Sequence, residues 1–209
     1  MKGSVEELPQ KVKESMINKK IWSDEYPVSL DDLRLVKVEH YDFSGQVKTG
    51  ELVVHKARAQ DAFEIFAKLF EIKFQVHQIK LLDEYNGDDE ASMADNNSSC
   101  FNFRKIAGSD KVSIHGYGLA IDINPIQNPA IVLDEENMAV SIHPKEGMNF
   151  LNRTNNRPGM TESVIEIFKT CGFNVWGGNW NTPIDYQHFQ VERSLAETIV
   201  ESAGENITG

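Results

Sequence analysis

The hydrophobic pattern changes period several times along the chain. From Leu33 to Tyr41 apolar and polar residues alternate closely enough for a strand. Asp42–Gly45 supplies a turn, and Gly50–Val54 reads as the returning strand. From about Ala57 to Ile72 the spacing becomes helical. Phe63, Phe66, Ala67 and Phe70 stand at i, i+3, i+4 and i+7, a stripe that predicts a helix packed on a sheet. Phe74–Leu82 predicts a further strand, and Asn86–Asp89 is turn chemistry. Ser92–Ser99 is small, polar and weakly periodic, and fits a short helix or an irregular loop. Gly116–Asn124 moves from glycine-containing to Ala-Ile-Asp-Ile, a loop feeding a buried strand that Asn124-Pro125 ends. A long loop is expected to about Gly159. A helix follows over Thr161–Cys171, with Thr161 as its cap, Glu162 in its first turn and Gly172 past its end. Trp176–Gly178 is a turn and Tyr186–Val191 a last core strand. The polar first 25 or so residues read as a short helix and a connecting arm. Arg193–Ala203 reads as a surface helix before a frayed end. This mixed order predicts an α+β fold, a small and mainly antiparallel sheet with helices against it.

Composition narrows the function. The chain has 209 residues, 21 Lys+Arg against 32 Asp+Glu, and a net charge of −11. That length suits one domain with an ample core. No apolar run approaches the ~20 residues that cross a bilayer, so the chain is expected not to span a membrane. Excess acid repels phosphate backbones and no basic cluster offsets it, so nucleic acid is not expected as a partner. Cys100 and Cys171 are too few for a disulfide framework or a cysteine zinc site. They could pair in an oxidising compartment or stay as two buried thiols. The start Met-Lys-Gly-Ser-Val-Glu-Glu lacks the apolar core of a secretion signal. Asn97-Ser98-Ser99, Asn152-Arg153-Thr154 and Asn206-Ile207-Thr208 match the glycosylation sequon, too short a pattern to carry weight.

Candidate chemistry lies among the six histidines. His40, His55 and His77 lie in or beside expected strands and read as structural or surface groups, and His143, before Pro144, reads as solvent-facing. His115 and His188 stand apart. His115 opens Ser113-Ile114-His115-Gly116-Tyr117-Gly118-Leu119-Ala120-Ile121-Asp122-Ile123, where Gly116 and Gly118 let the backbone turn back toward Asp122. A carboxylate between two isoleucines is costly to desolvate and needs a cation, a metal or several donors. His188 lies in Asp185-Tyr186-Gln187-His188-Phe189. Two histidines and a carboxylate make a zinc ligand set with a fourth position open. The spacing alone is only moderately specific.

The stretch Ser-x-His-x-x-Gly-x-Ala-x-Asp-Ile, followed much later by Asp-x-x-His-Phe, resembles the zinc D-alanyl-D-alanine carboxypeptidases of the VanY-like type. The same signature occurs in D,D-dipeptidases and phage L-alanyl-D-glutamate endopeptidases. The resemblance runs from about Leu52 to Gln190 and is dense at Phe101–Lys105, Ser113–Pro125 and Trp176–Phe189. It implies a hedgehog/D,D-peptidase-like fold and one zinc ion held by His115, Asp122 and His188. It further implies Asp185 as general base, Arg104 as the arginine that steadies an oxyanion, and Ser113 as a substrate-holding serine. Pro183 is expected to place Asp185 in a turn entering the last strand. Trp180 and Trp176 are candidates for a cleft wall, with core packing as the plain alternative. Ser92 and Asn96 are candidates for peptide contact, with water contact as theirs.

Residues 1–209 are expected to form a single zinc peptidase domain: the resemblance marks the catalytic core over 52–190, while the arm and hairpin over 1–50 and the tail over 191–209 match less well and take no role from it. The activity it implies is D,D-carboxypeptidase cleavage of peptidoglycan stem peptides in the cell envelope, periplasmic or extracellular. The alternatives are an L-alanyl-D-glutamate type endopeptidase, or a non-catalytic zinc-binding recognition module like the hedgehog domains that share the fold.

Overall fold

A computed structural model describes residues 1–106 and 108–205. The expected frayed end and the Asn206–Thr208 sequon lie outside the described residues. The fold is α+β, built from small antiparallel sheets and short helices.

The amino-terminal arm opens with a strand that its composition hides, β1 (Gly3–Glu7), before the expected helix α1 (Gln10–Asn18). β1 pairs antiparallel with β2 (Leu33–Tyr41), from Gly3 opposite Val38 to Glu7 opposite Arg34. Five mostly polar residues carry little alternation, and the open edge of β2 is what recruits them. Only a glycine fits at position 3, because a Cβ there would collide with the Lys37 carbonyl and the Phe63 ring. β2 turns at Asp42–Gly45 into β3 (Val47–His55), in register from Leu33 opposite His55 to Tyr41 opposite Val47. Both faces of this hairpin are covered. Val36, Val38, Leu52 and Val54 join the main core. Leu33, Leu35 and Val53 pack in a second cluster with Met16, Ile21 and Val28 of the arm. Each such buried aliphatic side chain contributes ~1.5–3 kcal/mol.

Helix α2 (Ala59–Glu71) lies on the sheet as the period predicts, but rotated. Its buried positions are Ala59, Ala62, Ile65, Phe66 and Leu69. Phe63, Ala67 and Phe70 are only half-buried on its flank, where Phe70 stacks on Tyr41 with centroids 4.7 Å apart. The apolar surface of the helix is wider than one stripe, and the sheet takes its aliphatic side. The strand expected over Phe74–Leu82 shrinks to β4 (Gln78–Ile79), followed by a 3-10 turn at Leu82–Tyr85. Buried residues there fall at 74, 76, 79 and 82, so the period of two breaks after Val76. Ser92–Ser99, expected as a short helix or an irregular loop, holds the end of a short helix and then a two-residue strand. A short helix α3 (Asp89–Ala94) is capped by Asp88, whose Oδ1 accepts from the Ala91 amide at 3.0 Å, and β5 (Asn97–Ser98) then pairs in parallel with β4.

The carboxy-terminal half carries β6 (Ala120–Asp122). The loop expected between residues 125 and 159 contains a hairpin, β7 (Ala130–Leu133) and β8 (Ala139–His143). The helix expected over Thr161–Cys171 is a 3-10 turn at Thr161–Ser163 and then α4 (Ile165–Thr170). Thr161 does not cap it. Its buried hydroxyl donates to the Tyr186 carbonyl at 2.6 Å instead. Then come β9 (Val175–Trp176), β10 (Ile184–Asp185), β11 (His188–Gln190) and α5 (Arg193–Glu205). β11 sits between β6 and β9, and β7 sits between β10 and β8. Cys100 and Cys171 are two separate buried thiols. Among the described residues no helix is long and apolar enough to cross a membrane.

Candidate metal centre

His115 is aimed by a 3-10 turn at Ile114–Tyr117. Ser113 starts the turn, its Oγ accepting from the His115 amide at 3.4 Å, and Gly118 closes it with φ +69°. A side chain at Gly118 would stand 2.8 Å from the His55 amide nitrogen, so glycine is required twice over there. Asp122 ends β6 directly opposite His188 on β11. Residues opposite each other in an antiparallel ladder share a face. The register therefore makes neighbours of two residues 66 apart in sequence.

The three side chains converge in a buried cluster, with ligand-capable atoms all within 4.8 Å of one another. His115 Nε2 is 3.1 Å from Asp122 Oδ2, His188 Nδ1 is 3.0 Å from Asp122 Oδ1, and the two imidazole nitrogens are 3.1 Å apart. The outer ring atoms fix the tautomers. His115 Nδ1 donates to the Cys100 carbonyl at 2.7 Å, and His188 Nε2 donates to Gln190 Oε1 at 2.9 Å. In the neutral rings the inner nitrogens then each present a lone pair toward the other and toward a carboxylate. Three acceptors facing one another call for a cation. Tetrahedral zinc ligands at ~2.0–2.1 Å stand ~3.3 Å apart, close to the separations seen. The donor set fits zinc, with each histidine oriented from behind.

The titration tendencies agree. Burial alone would push the Asp122 carboxyl up, but the His115 and His188 imidazoles outweigh it and hold the group well below the usual carboxylate range. Burial would depress His188, yet its bond to Asp122 and the Asp122 charge raise it.

Asp185 stands beside this cluster. It lies in β10, paired with Ala130 of β7, rather than in a turn running into the last strand. Burial, reinforced by the Asp122 charge, raises its carboxyl to about 6. The residue is half-buried, but its Oδ1 is fully buried and without a hydrogen-bond partner. Gly177 packs between Asp185 and His188. A Cβ there would stand 2.5 Å from the Asp185 carbonyl oxygen and 3.2 Å from the His188 Cβ.

The other expected site residues differ in placement. Trp180 is half-buried with its ring 5.1 Å from that of His188, where a cleft wall is expected. Trp176 packs on Phe189 of the core, centroids 6.4 Å apart. Arg104 is exposed and ion-paired to Asp89 at 3.2 Å, near enough for its charge to pull on Asp185. Ser113 is buried in its turn. Ser92 accepts from Asn97 Nδ2 at 3.0 Å and Asn96 donates to Gln127 at 2.8 Å. Both are buried and engaged with the protein itself.

Several supports escaped sequence reasoning. Gln190 was signalled only by standing two residues from His188 on the same strand face. The Tyr186 carbonyl, between Asp185 and His188, accepts from Thr161 Oγ1 at 2.6 Å and Trp176 Nε1 at 3.0 Å. The Tyr186 ring carries the Arg153 guanidinium 4.3 Å above it, and Arg153 in turn grips Glu162 through Nε and Nη2, each at 2.6 Å.

Residues 107–191 match the family model described as D-alanyl-D-alanine carboxypeptidase. The matched segment contains His115, Asp122, Asp185 and His188. Arg104, Ser92 and Asn96 precede it. No curated protein and no solved structure gives a significant match to the chain. The match supports a peptidase, a hydrolase related to this family, with a His115–Asp122–His188 cluster able to hold a metal.

Proposed function

We propose that the protein is a zinc D,D-carboxypeptidase that trims peptidoglycan stem peptides in the cell envelope. The observation that carries the proposal is the convergence of His115 Nε2, His188 Nδ1 and the Asp122 carboxylate, each imidazole pinned from behind, beside the buried unpartnered Oδ1 of Asp185. A zinc ion held by those three groups supplies Lewis-acid polarisation of a carbonyl and acidifies water. Asp185 takes the proton from the attacking water at its carboxylate and returns it to the departing amine nitrogen. A group raised to about 6 without a cation is lowered toward ionisation by any positive charge placed nearby, so it serves as a base at neutral pH. Trp180 walls the cleft and keeps bulk water from the reacting carbonyl. Arg104 exchanges its Asp89 partner for the developing oxyanion, a donor worth ~3 kcal/mol of barrier.

The test is digestion of a muropeptide ending in D-Ala-D-Ala by the zinc-loaded chain, with and without chelator. Release of free D-alanine, abolished by chelator, is expected. Asp185→Ala should retain zinc and lose at least about a hundredfold in rate, whereas His115→Ala should lose the metal as well. Full activity in zinc-bound Asp185→Ala would sink the mechanism. Internal cleavage fragments in place of D-alanine would assign an endopeptidase. Absence of any cleavage across varied stem peptides would leave a binding module.

A further inference from the structure

We propose that the cavity between the end of α2 and the 156–163 segment is a binding site for a small oxyanion, a phosphate or a carboxylate group. The cavity measures about 260 Å³, and its lining includes Lys73, Gln75, Asn156, Arg157, Gly159 and Ser163. That is below the ~300–1,000 Å³ of sites for drug-sized ligands, so it suits a small group. Its charged lining residues are both cations, in a chain whose acids outnumber its bases by 32 to 21.

Arg157 carries the argument. Its guanidinium lies over the Phe150 ring at 3.8 Å, and its Nε and Nη2 are buried without a hydrogen-bond partner. Those two atoms form one edge of the guanidinium fork, the edge that takes a carboxylate or phosphate bidentately. Arg153, four residues earlier, shows the satisfied form, with the same two atoms on the two oxygens of Glu162 at 2.6 Å each. Arg157 has no such acid. Among the described residues neither Arg157 nor Lys73 forms an ion pair. A guanidinium cannot shed its proton, and a buried unpaired charged donor is costly. An anion entering the cavity relieves that cost, with the Arg157 side chain turning its open edge to meet it. Lys73 stands ready on the rim. It is exposed just past the end of α2, with left-handed backbone at φ +56°. The Ser163 hydroxyl, bound at present only to the Met160 carbonyl at 3.3 Å, supplies a further donor.

The site is separate from the metal centre. The Gln75 and Gly159 carbonyls, both from lining residues, accept from Asn124 Nδ2 at 2.8 and 3.1 Å, so Asn124 stands between the cavity and β6.

The test is an amide-shift titration of the zinc-loaded full chain with sodium phosphate and, separately, sodium acetate, each against sodium chloride of equal ionic strength. Saturable shifts at the Gly159 and Ser163 amides are expected. Saturation by phosphate alone assigns a phosphate-bearing ligand, and saturation by acetate alone a carboxylate. Arg157→Gln and Lys73→Asn should each weaken binding about tenfold or more, the scale of one lost charge-assisted hydrogen bond. Lys73→Asn keeps a residue suited to left-handed backbone on the surface, so it decides the matter even if Arg157→Gln does not fold. Equal shifts with chloride, shifts confined to residues around His115, or unaltered binding by Lys73→Asn would each overturn the proposal.

Discussion

His55 ends β3 fully buried. Its Nδ1 accepts from the Ala57 amide at 3.2 Å, while its Nε2 has no partner. Burial lowers its pKa from 6.5 to about 4, and the nearby Asp32 charge only partly offsets this. The unfolded chain therefore takes up a proton near 6.5 that the folded chain refuses until about 4. Stability from this group is whole above the unfolded value and is lost as pH falls through the folded one. The difference corresponds to roughly 3 kcal/mol. Urea unfolding of the wild type should lose about that much more between pH 7 and pH 4 than His55→Gln. Equal losses in the two proteins would show that the imidazole is not held neutral. The same scale shows what residue chemistry reveals in a sequence. His115 and Asp122 stood out because a histidine before spaced glycines and a carboxylate between isoleucines are unusual side-chain choices, while the full set with His188 was legible through the family resemblance carried by Ser113–Ile123 and Asp185–Phe189. The Cys100 carbonyl that orients His115 was not, since every residue carries a carbonyl.

The short elements are fixed by neighbours more than by their own sequences. β10 has two residues and β11 three, too few to show a period. Their ladders to β7, β6 and β9 hold them, together with the grip on Tyr186 between them. Arg153 should therefore act as a positioning residue for Asp185. Arg153→Met removes a bidentate ion pair and the cover over the Tyr186 ring. It should cost about 2 kcal/mol in unfolding free energy and lower kcat about tenfold with KM little changed. Arg153→Lys should recover less than half of the rate, because an ammonium cannot reproduce the fork. A fall in stability without a fall in kcat would mean that the strut is structural only. Gly177→Ala tests the other side of the same segment. The added methyl would meet the Asp185 carbonyl oxygen at 2.5 Å and the Asp185 Cβ at 2.9 Å and must displace that residue, so a loss of about a hundredfold in kcat/KM is expected, this scale following from an ~1 Å displacement of a reacting group. A rate within a few-fold of wild type would show that the segment yields freely. This dependence on context explains why β1, the β7–β8 hairpin and the short form of β4 were not legible in the sequence, while the long β2–β3 hairpin and α2 were. The long elements bury enough of themselves to print a pattern. β8, by contrast, exposes Val140, and Met138 just before it is exposed as well, so the segment carries no core-facing pattern and reads as a loop.

At the scale of the molecule, the candidate metal ligands come from three elements that the β6–β11 ladder and the main core bring together. His115 belongs to the turn before β6, Asp122 to the end of β6 and His188 to β11, and their supports reach back to Cys100 and forward to Gln190. The α+β class was legible from the order of periods, but the closing of this centre was not, because it depends on a ladder register that places Asp122 opposite His188. Binding that requires the folded register stabilises the fold by mass action. Free zinc at about a thousand times its dissociation constant adds roughly 4 kcal/mol. For a chain of this size each kcal/mol moves the melting temperature by ~2–4 °C. Stripping the metal should thus lower Tm by roughly 8–16 °C, and zinc should restore it. In His188→Ala, where a two-ligand remnant holds zinc weakly, chelator should move Tm by no more than a degree or two. The comparison separates loss of the ion from any general effect of chelator. If metal analysis shows zinc leaving the wild type while Tm stays in place, then the register holds without the ion, and the cluster is stabilised by the Asp122–imidazole contacts alone.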